Sequence, residues 1–357
     1  MRVLHVDTAL GWRGGQNQVL LTALGQAARG HAVTVACRRG GALLSRARDA
    51  NLRVAALPLR GDLWLPGIVA LARELRREKP QVVQLHDPHA VGSGRLAAVL
   101  AGRPPLVATR RVDFPLRGPF SRGKYHGCAR VIAVSRAIAG VLQGEGIEAA
   151  KLRLVYEGVP DRPAAPGGAE ALRGLGVPEG APVIGNVAAL TDHKDHATLI
   201  AAAGIVVRAR PEARFVIVGE GALRSELAAR VEAGGLAGHV LFAGFRSDVD
   251  GLLPAFDLFC LSSHLEGLGT SLLDAMAFGR AVVATRAGGI PEAVEHGVTG
   301  VVVPVRDPAL LAQALLDLLA DPGRRRAMGD AGRRRFLERF TADRMVEDTL
   351  RVYAELP

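Results

Sequence analysis

Ser262 to Glu292 reads SSHLEGLGTSLLDAMAFGRAVVATRAGGIPE, and its reading decides the fold. Asp257 to Leu261 (DLFCL) leads in as a buried strand, and a polar, glycine-rich turn follows. Thr270 to Phe278 places apolar residues at helical spacing, Ala281 to Ala284 is a second apolar strand, and Gly-Gly-Ile-Pro-Glu closes the stretch. Glu266 and Asp274 are about two helical turns apart, one in the loop and one on the helix, so both are expected to face one cleft. Gly267 and Gly269, around Leu268, strip side chains from the turn and let backbone N–H groups at the helix start, near Thr270, approach an anion. Such a layout suits a ligand that offers hydroxyls and phosphates, as a nucleotide sugar does. Acids at a helix start also occur simply as charges stabilising the dipole. Glycine turns on both sides and the buried strands leading in favour the site.

Working outward, 357 residues suffice for two domains of ordinary size. Half the residues are hydrophobic and aromatics are scarce, so the cores are expected to be built from Ala, Val and Leu. Cys37, Cys128 and Cys260 are scattered without metal-ligand spacing and read as reduced, buried thiols of a cytoplasmic protein. MRVLHVDTAL reads as a short strand rather than a signal peptide, and no run approaches the length of a membrane-spanning helix. Net charge is +14 over residues 1–160 and −4 over 161–357. The basic first half points to an anionic surface or acceptor, such as lipid headgroups or a phosphorylated glycolipid. Surface arginine used in place of lysine accounts for it equally well. Nucleic acid is not expected, because aromatics are not interleaved with the basic residues.

Short β-branched runs at Val3–Val6, Val33–Cys37, Arg53–Leu57, Val82–Leu85, Leu106–Thr109 and Val131–Val134 alternate with helical patterns at Gln16–Ala28, Leu65–Arg77, Val91–Ala101 and Ser135–Gln143. That alternation predicts an α/β fold with a parallel sheet covered on both faces, whose ligands bind at the carboxyl ends of the strands. Three strand ends carry candidate site residues: the Gly11 to Gln16 turn with Gly14 and Gly15, His86-Asp87-Pro88-His89, and Arg110-Arg111-Val112-Asp113. His89 is an alternative cap of the following helix. A Pro/Gly-rich segment between Val155 and Val183 marks a domain boundary. Alternation then restarts with strands at Pro182–Val187, Arg214–Val218 and Val240–Phe242 and helices at Ala197–Ala209 and Ala222–Ala233. Gly219-Glu220-Gly221 opens like a dinucleotide fingerprint but lacks the third glycine, so an NAD site is weakly supported. Lys194 sits where a loop meets a helix start and offers a point charge to a phosphate. Phe245 and Arg246 follow a strand as candidate base-pocket residues, with Phe245 equally suited to the core. Ala309–Leu319, Arg324–Phe340 and Ala342–Leu356 read as helices.

Assembled, these residues resemble a retaining glycosyltransferase of family 4, nearly end to end. The resemblance is most specific at Gly219 to Gly221, Gly244-Phe245, Ser262 to Met276 and Gly288 to Glu292. It implies the GT-B fold, two Rossmann-like domains facing across a cleft. These are an acceptor domain over 1–160, a nucleotide-sugar domain over 161–340, and a final helix over 341–357 that crosses back onto the first. Glu266 and Asp274 match the family's Glu-x7-Glu motif with Asp in the second place. This implies that Glu266 contacts the donor sugar and Asp274 the ribose, with a shorter reach. Lys194 matches the pyrophosphate lysine, while Ala189 stands where an arginine is usual. Gly15 matches the N-terminal glycine loop, and Arg111 stands where the family often has a histidine. The Arg-Arg-Val-Asp-Phe-Pro run resembles a subgroup associated with bacterial surface polysaccharide and lipopolysaccharide.

The function expected is transfer of a sugar from a UDP- or GDP-linked donor to a glycolipid or saccharide acceptor of the bacterial envelope, with retention at the anomeric carbon. The expected catalytic residues are Glu266, Lys194, His86 and Arg111. The expected substrate contacts are Gly14, Gly15, Gly219, Gly221, Phe245, Arg246, Gly267, Leu268, Gly269, Thr270, Asp274 and Glu292. No cofactor and no metal are expected, and the enzyme is expected in the cytoplasm, peripheral on the inner face of the membrane. A nucleotide-sugar 2-epimerase, a non-catalytic nucleotide-sugar binder and an NAD-dependent oxidoreductase are the alternatives.

Overall fold

The computed structural model describes residues 1–116 and 118–356, with the backbone alone at 119 and 120. Contacts divide the chain into two compact units, Met1–Pro160 with Thr341–Pro357, and Asp161–Phe340. The first unit holds seven parallel strands: β1 (Arg2–Asp7), β2 (Ala32–Arg38), β3 (Arg53–Leu57), β4 (Val82–Leu85), β5 (Leu106–Arg110), β6 (Arg130–Ala133) and β7 (Leu152–Leu154). Their order is β3-β2-β1-β4-β5-β6-β7. The second unit holds six: β8 (Val183–Val187), β9 (Arg214–Val218), β10 (Val240–Gly244), β11 (Leu258–Leu261), β12 (Ala281–Thr285) and β13 (Gly300–Val303), in the order β10-β9-β8-β11-β12-β13.

Helices cover both faces of the first sheet, so its central strands β1, β4 and β5 bury nearly every residue, while the edge strands β3 and β7 do not. Pleating splits them between two cores. Leu4, Val6, Val83 and Leu85 join the helices on one side. Val3, Val82, Val107 and Ile132 pack on the other with Met345, Val352 and Tyr353 of the last helix, Ala342–Ala354. The second sheet's central strands, β11 and β12, are buried along their whole length.

In both sheets the strand order reverses beside the unit's first strand, between β1 and β4 and between β8 and β11. An α/β sheet places its ligand outside the carboxyl ends at such a reversal. The stretch Ser262 to Glu292 leaves β11 there, which is why its reading decides the fold.

Several elements were not read from the sequence: strands β7 and β13, and helices Ala42–Asp49, Gly118–His126, Gly168–Gly174 and Val249–Ala255. The strands are short edge strands, and the last helix holds Gly251 and Pro254 within its seven residues. Among the described residues, no helix is long and apolar enough to cross a membrane.

Candidate functional site

At the reversal of the second sheet, the loop after β8 carries Lys194 and the loop after β11 carries Glu266. Lys194 Nζ donates to Glu266 Oε2, which also accepts from Ser263 Oγ at 3.2 Å. The two loops are tied by backbone and hydroxyl bonds. Ser262 Oγ donates to Lys194 O at 3.0 Å, and His264 N donates to His193 O at 3.0 Å. Beneath them, His196 Nε2 lies 3.1 Å from Asn186 Oδ1, and Asn186 Nδ2 donates to Cys260 O at 2.8 Å. Burial holds His196 down at about 4, so it is a neutral strut rather than a charge. The ion pair is partly accessible, with Lys194 17% and Glu266 12% exposed.

Glycines 219 and 221 have a purpose the sequence does not reveal. A Cβ at Gly219 would stand 2.0 Å from Ala188 O, and one at Gly221 2.3 Å from Leu190 O. They let the loop after β9 press onto the backbone that leads to Lys194. Gly269, with φ of 90°, turns the chain into helix Thr270–Ala277, whose start no side chain caps. Its first amides therefore suit an anion. Gly267 is buried beside it. Leu268 is fully buried, so its side chain belongs to the core and only its backbone is available to a substrate.

Asp274 lies apart from Glu266's ion pair. Its carboxylate accepts from Arg162 Nη2 at 3.0 Å, and the same guanidinium reaches Asp250 at 2.5 Å. Glu266 and Asp274 therefore pair with different cations. Glu292 lies on the short helix Ile290–Ala293, its carbonyl accepting from Arg335 Nη2 at 3.0 Å. Phe245 is 63% exposed and is no core residue. Arg246 is committed to Asp248, at 2.8 and 2.5 Å. The expectation of no metal assumed that the sequence holds no Asp-x-Asp spacing, which Asp248-Val249-Asp250 corrects, and these two carboxylates pair with Arg246 and Arg162. Among the described residues, no three His, Cys, Asp or Glu side chains are grouped to hold a metal ion.

The reversal of the first sheet is built differently. Arg111 Nε donates to Glu157 Oε1 at 2.9 Å, and Nη1 donates to His86 O at 3.1 Å and lies 3.2 Å from His86 Nδ1. A guanidinium only donates, so His86 Nδ1 accepts and its Nε2–H points at His5 Nδ1, 2.8 Å away. His5 Nε2–H then donates to Gln26 Oε1 at 3.0 Å. Gln26 Nε2 donates to Tyr353 OH, Tyr353 OH to Gln84 Oε1, and Gln84 Nε2 to Thr109 Oγ1, at 3.3, 2.5 and 2.8 Å. Burial lowers His5 to about 4 and, with Arg111 beside it, His86 well below its usual range, so both rings are neutral. With both ring nitrogens bonded inside the protein, His86 holds the Arg111 guanidinium in place.

Asp7 ends β1 and accepts from Gln16 Nε2 and Ala9 N, each at 3.0 Å. Burial, with Asp87 nearby, raises it to about 6. Asp87, not His89, caps helix Pro88–Leu100 and also binds Thr8 N and Oγ1 at 2.7 and 2.8 Å. Gly14 and Gly15 open helix Gly14–Ala28, which has no side-chain cap, and Gly15 lies against Arg111. Missed in the sequence were Arg162, Glu157, His5, Asp7 and Ser263. Only Asp7 carried a local signal, an acid ending a buried strand.

Two doubly wound parallel sheets are the frame that GT-B transferases share, and comparison with known proteins places the chain among them. Residues 169–335 match the family described as Glycosyl transferases group 1, and residues 12–162 match Glycosyltransferase Family 4. The chain is 30% identical over 315 residues to 2-deoxystreptamine N-acetyl-D-glucosaminyltransferase of Streptomyces fradiae, covering 81% of this chain and 75% of that one. It is 28% identical over 367 residues to 2-deoxystreptamine glucosyltransferase of Streptomyces kanamyceticus, covering 95% and 94%. Anabaena Alr3699/HepE shares the fold over the whole of both chains, with a TM-score of 0.89 at 22% identity. The chain belongs to the family 4 glycosyltransferases and is a glycosyltransferase of GT-B fold. That membership does not favour an epimerase, a non-catalytic binder or an NAD-dependent oxidoreductase.

Proposed function

We propose that this enzyme is a retaining, metal-independent hexosyltransferase using a UDP- or GDP-linked donor, which its second unit holds at the β8/β11 reversal. The observation that carries the reading is the Lys194–Glu266 pair beside the uncapped start of helix Thr270–Ala277. Lys194 and those amides meet the diphosphate, while Glu266 accepts from the sugar hydroxyls. Phe245, exposed at the end of β10, stacks on the base. The Anabaena protein of the same fold was crystallised with UDP and glucose, which supports a uridine-linked donor as the first to test.

In the reaction, the bond between the anomeric carbon and the donor phosphate breaks. The acceptor oxygen bonds to the same face of that carbon, and the acceptor proton passes to the departing diphosphate oxygen. Lys194 and the helix-start amides stabilise the charge that develops there, an electrostatic task that needs no other group. The first unit holds the acceptor near Arg111, Gly14 and Gly15. The Arg110 to Pro115 run and the basic first half support an anionic envelope precursor, glycolipid or saccharide. The Streptomyces relatives' names give the small aminocyclitol 2-deoxystreptamine instead, so both acceptor classes belong in the assay.

The test is a thermal-shift screen of nucleotide sugars, followed by proton NMR of the product formed with and without EDTA. A nucleotide that binds only the native state raises the melting temperature. A shift with one nucleotide class that is lost in Lys194→Ala, and a product of retained anomeric configuration formed in EDTA, are expected. An inverted product, or activity abolished by EDTA and restored by a divalent metal, overturns the mechanism.

A further inference from the structure

We propose that the loop 60–64 and helix Leu65–Glu78 of the first unit form a face that docks on an anionic lipid surface. Leu63, Trp64 and Leu65 are consecutive, large and apolar, yet 65%, 40% and 70% exposed. The helix is sorted by face. Ile68, Leu71, Ala72 and Leu75 are buried, while Leu65, Val69, Arg73 and Arg76 follow one another outward at helical spacing. Apolar residues thus occupy the exposed side of its first turns and arginines that of its last. Arg60 lies over the Trp64 ring at 5.3 Å, setting a cation beside the apolar tip. Gly67 leaves room for that ring, since a Cβ there would stand 3.2 Å from Trp64 Cδ1.

Charge selects the occupant. Between residues 60 and 79 the exposed charged residues are Arg60, Arg73, Arg76, Arg77 and Lys79, and none is acidic. The acids of the same segment are largely buried and each is paired with a cation: Asp62 with Lys124 at 3.1 Å, Glu74 with Arg77 at 2.5 Å, and Glu78 with Arg53 at 3.0 Å, so Arg77 is matched and Arg60, Arg73, Arg76 and Lys79 set the sign of the face. A second copy of so uniformly basic a face would repel it. An apolar tip with a basic flank matches the boundary of an anionic bilayer, with side chains in the acyl region and cations among the headgroups. The face deepens the envelope-acceptor reading and rests on it for its use, not for its evidence.

The experiment uses the full chain and vesicles of phosphatidylglycerol with phosphatidylcholine, or of phosphatidylcholine alone. The chain has two tryptophans, so Trp12→Phe leaves Trp64 as the only emitter. Co-sedimentation and a blue shift of Trp64 emission with the anionic vesicles alone are expected, both weakening as salt rises. The triple variant Leu63→Ser/Trp64→Ser/Leu65→Ser should abolish co-sedimentation, and Leu65→Ser alone should reduce it if the triple variant does not fold. Removing Arg73 or Arg76 should weaken partition about fivefold each. Three outcomes overturn the proposal: no binding, binding that survives the apolar substitutions, and a blue-shifted Trp64 without lipid in a self-associated protein. Vesicle binding is read without donor or acceptor, so its failure leaves the transferase standing, and nucleotide thermal shift tests that separately.

Discussion

The two sheet reversals present the same topology and opposite chemistry. At β8/β11 one short ion pair sits on glycine-shaped loops, its partners still partly accessible. At β1/β4 the polar groups are saturated by one another, in a buried chain running from Arg111 through His86, His5, Gln26, Tyr353 and Gln84 to Thr109. Every link there has a fixed donor and acceptor because its first member can only donate. A doubly wound sheet thus supplies a place for a ligand without dictating what fills it. One reversal carries a single ion pair on glycine-shaped loops, and the other uses its polar groups to hold a single cation in place.

The sharpest break of that contrast is Arg111→Met. It takes the guanidinium from the buried Glu157 carboxylate and from His86 together. Loss of a partner from a buried ion pair costs about 3–5 kcal/mol, so urea unfolding should show a drop of that size. A loss below about 1 kcal/mol would mean that the chain is not the clamp described. Lys194→Ala should act in the other currency. Removing one preorganised donor to a developing anion slows turnover about 10²–10³-fold, while Ser263 still donates to Glu266 and limits the stability loss. Turnover near the native rate would remove Lys194 from the chemistry. A large fall in stability with intact turnover would make the two reversals alike.

Much of this contrast was hidden from the sequence for a physical reason. The apolar runs of β1, β4, β11 and β12 announce themselves because strands covered on both faces must be continuously hydrophobic. Lys194 and Glu266 were legible because glycines and helix starts leave local marks. Their pairing with each other, Arg162 with Asp274, and Tyr353 with Gln84 join residues far apart along the chain, and no local pattern encodes a partner. Asp274 shows the cost. Its spacing from Glu266 suggested a shared ligand, and the Arg162 guanidinium that meets it in the folded chain left no mark beside it. His86 is alike, since nothing beside it in the sequence announces that both its ring nitrogens are bonded inside the protein.

A third, pH-dependent test separates the reversals without touching Arg111. Asp7 is raised to about 6 in the folded protein, against about 3.9 for a free aspartate. Between those values the folded state holds a proton that the unfolded state has released. The contribution of this group to stability is therefore fully present below about pH 4 and is lost as pH rises through about 6. Asp7→Asn should remove that slope, so its gain relative to the native protein should grow from about pH 4 to about pH 6, as read by urea unfolding. A slope unchanged in Asp7→Asn would assign it to other carboxylates.

The smallest effect belongs to Phe245, beyond the ion pair at the end of β10. An aromatic that is 63% exposed contributes little to the fold, so Phe245→Ala should change stability by no more than about 0.5 kcal/mol. If the ring stacks on the donor base, its loss should weaken nucleotide binding by about 1–3 kcal/mol, near tenfold or more. Titration calorimetry with the free nucleoside diphosphate reads this directly, since no acceptor is required. Unchanged affinity would confine the donor contacts to Lys194, Glu266 and the helix-start amides, and would make the β8/β11 reversal a site for the diphosphate and sugar alone. Weakened binding at constant stability would extend it across the sheet to β10, the opposite of β1/β4, where no polar link can be removed without loosening its neighbours.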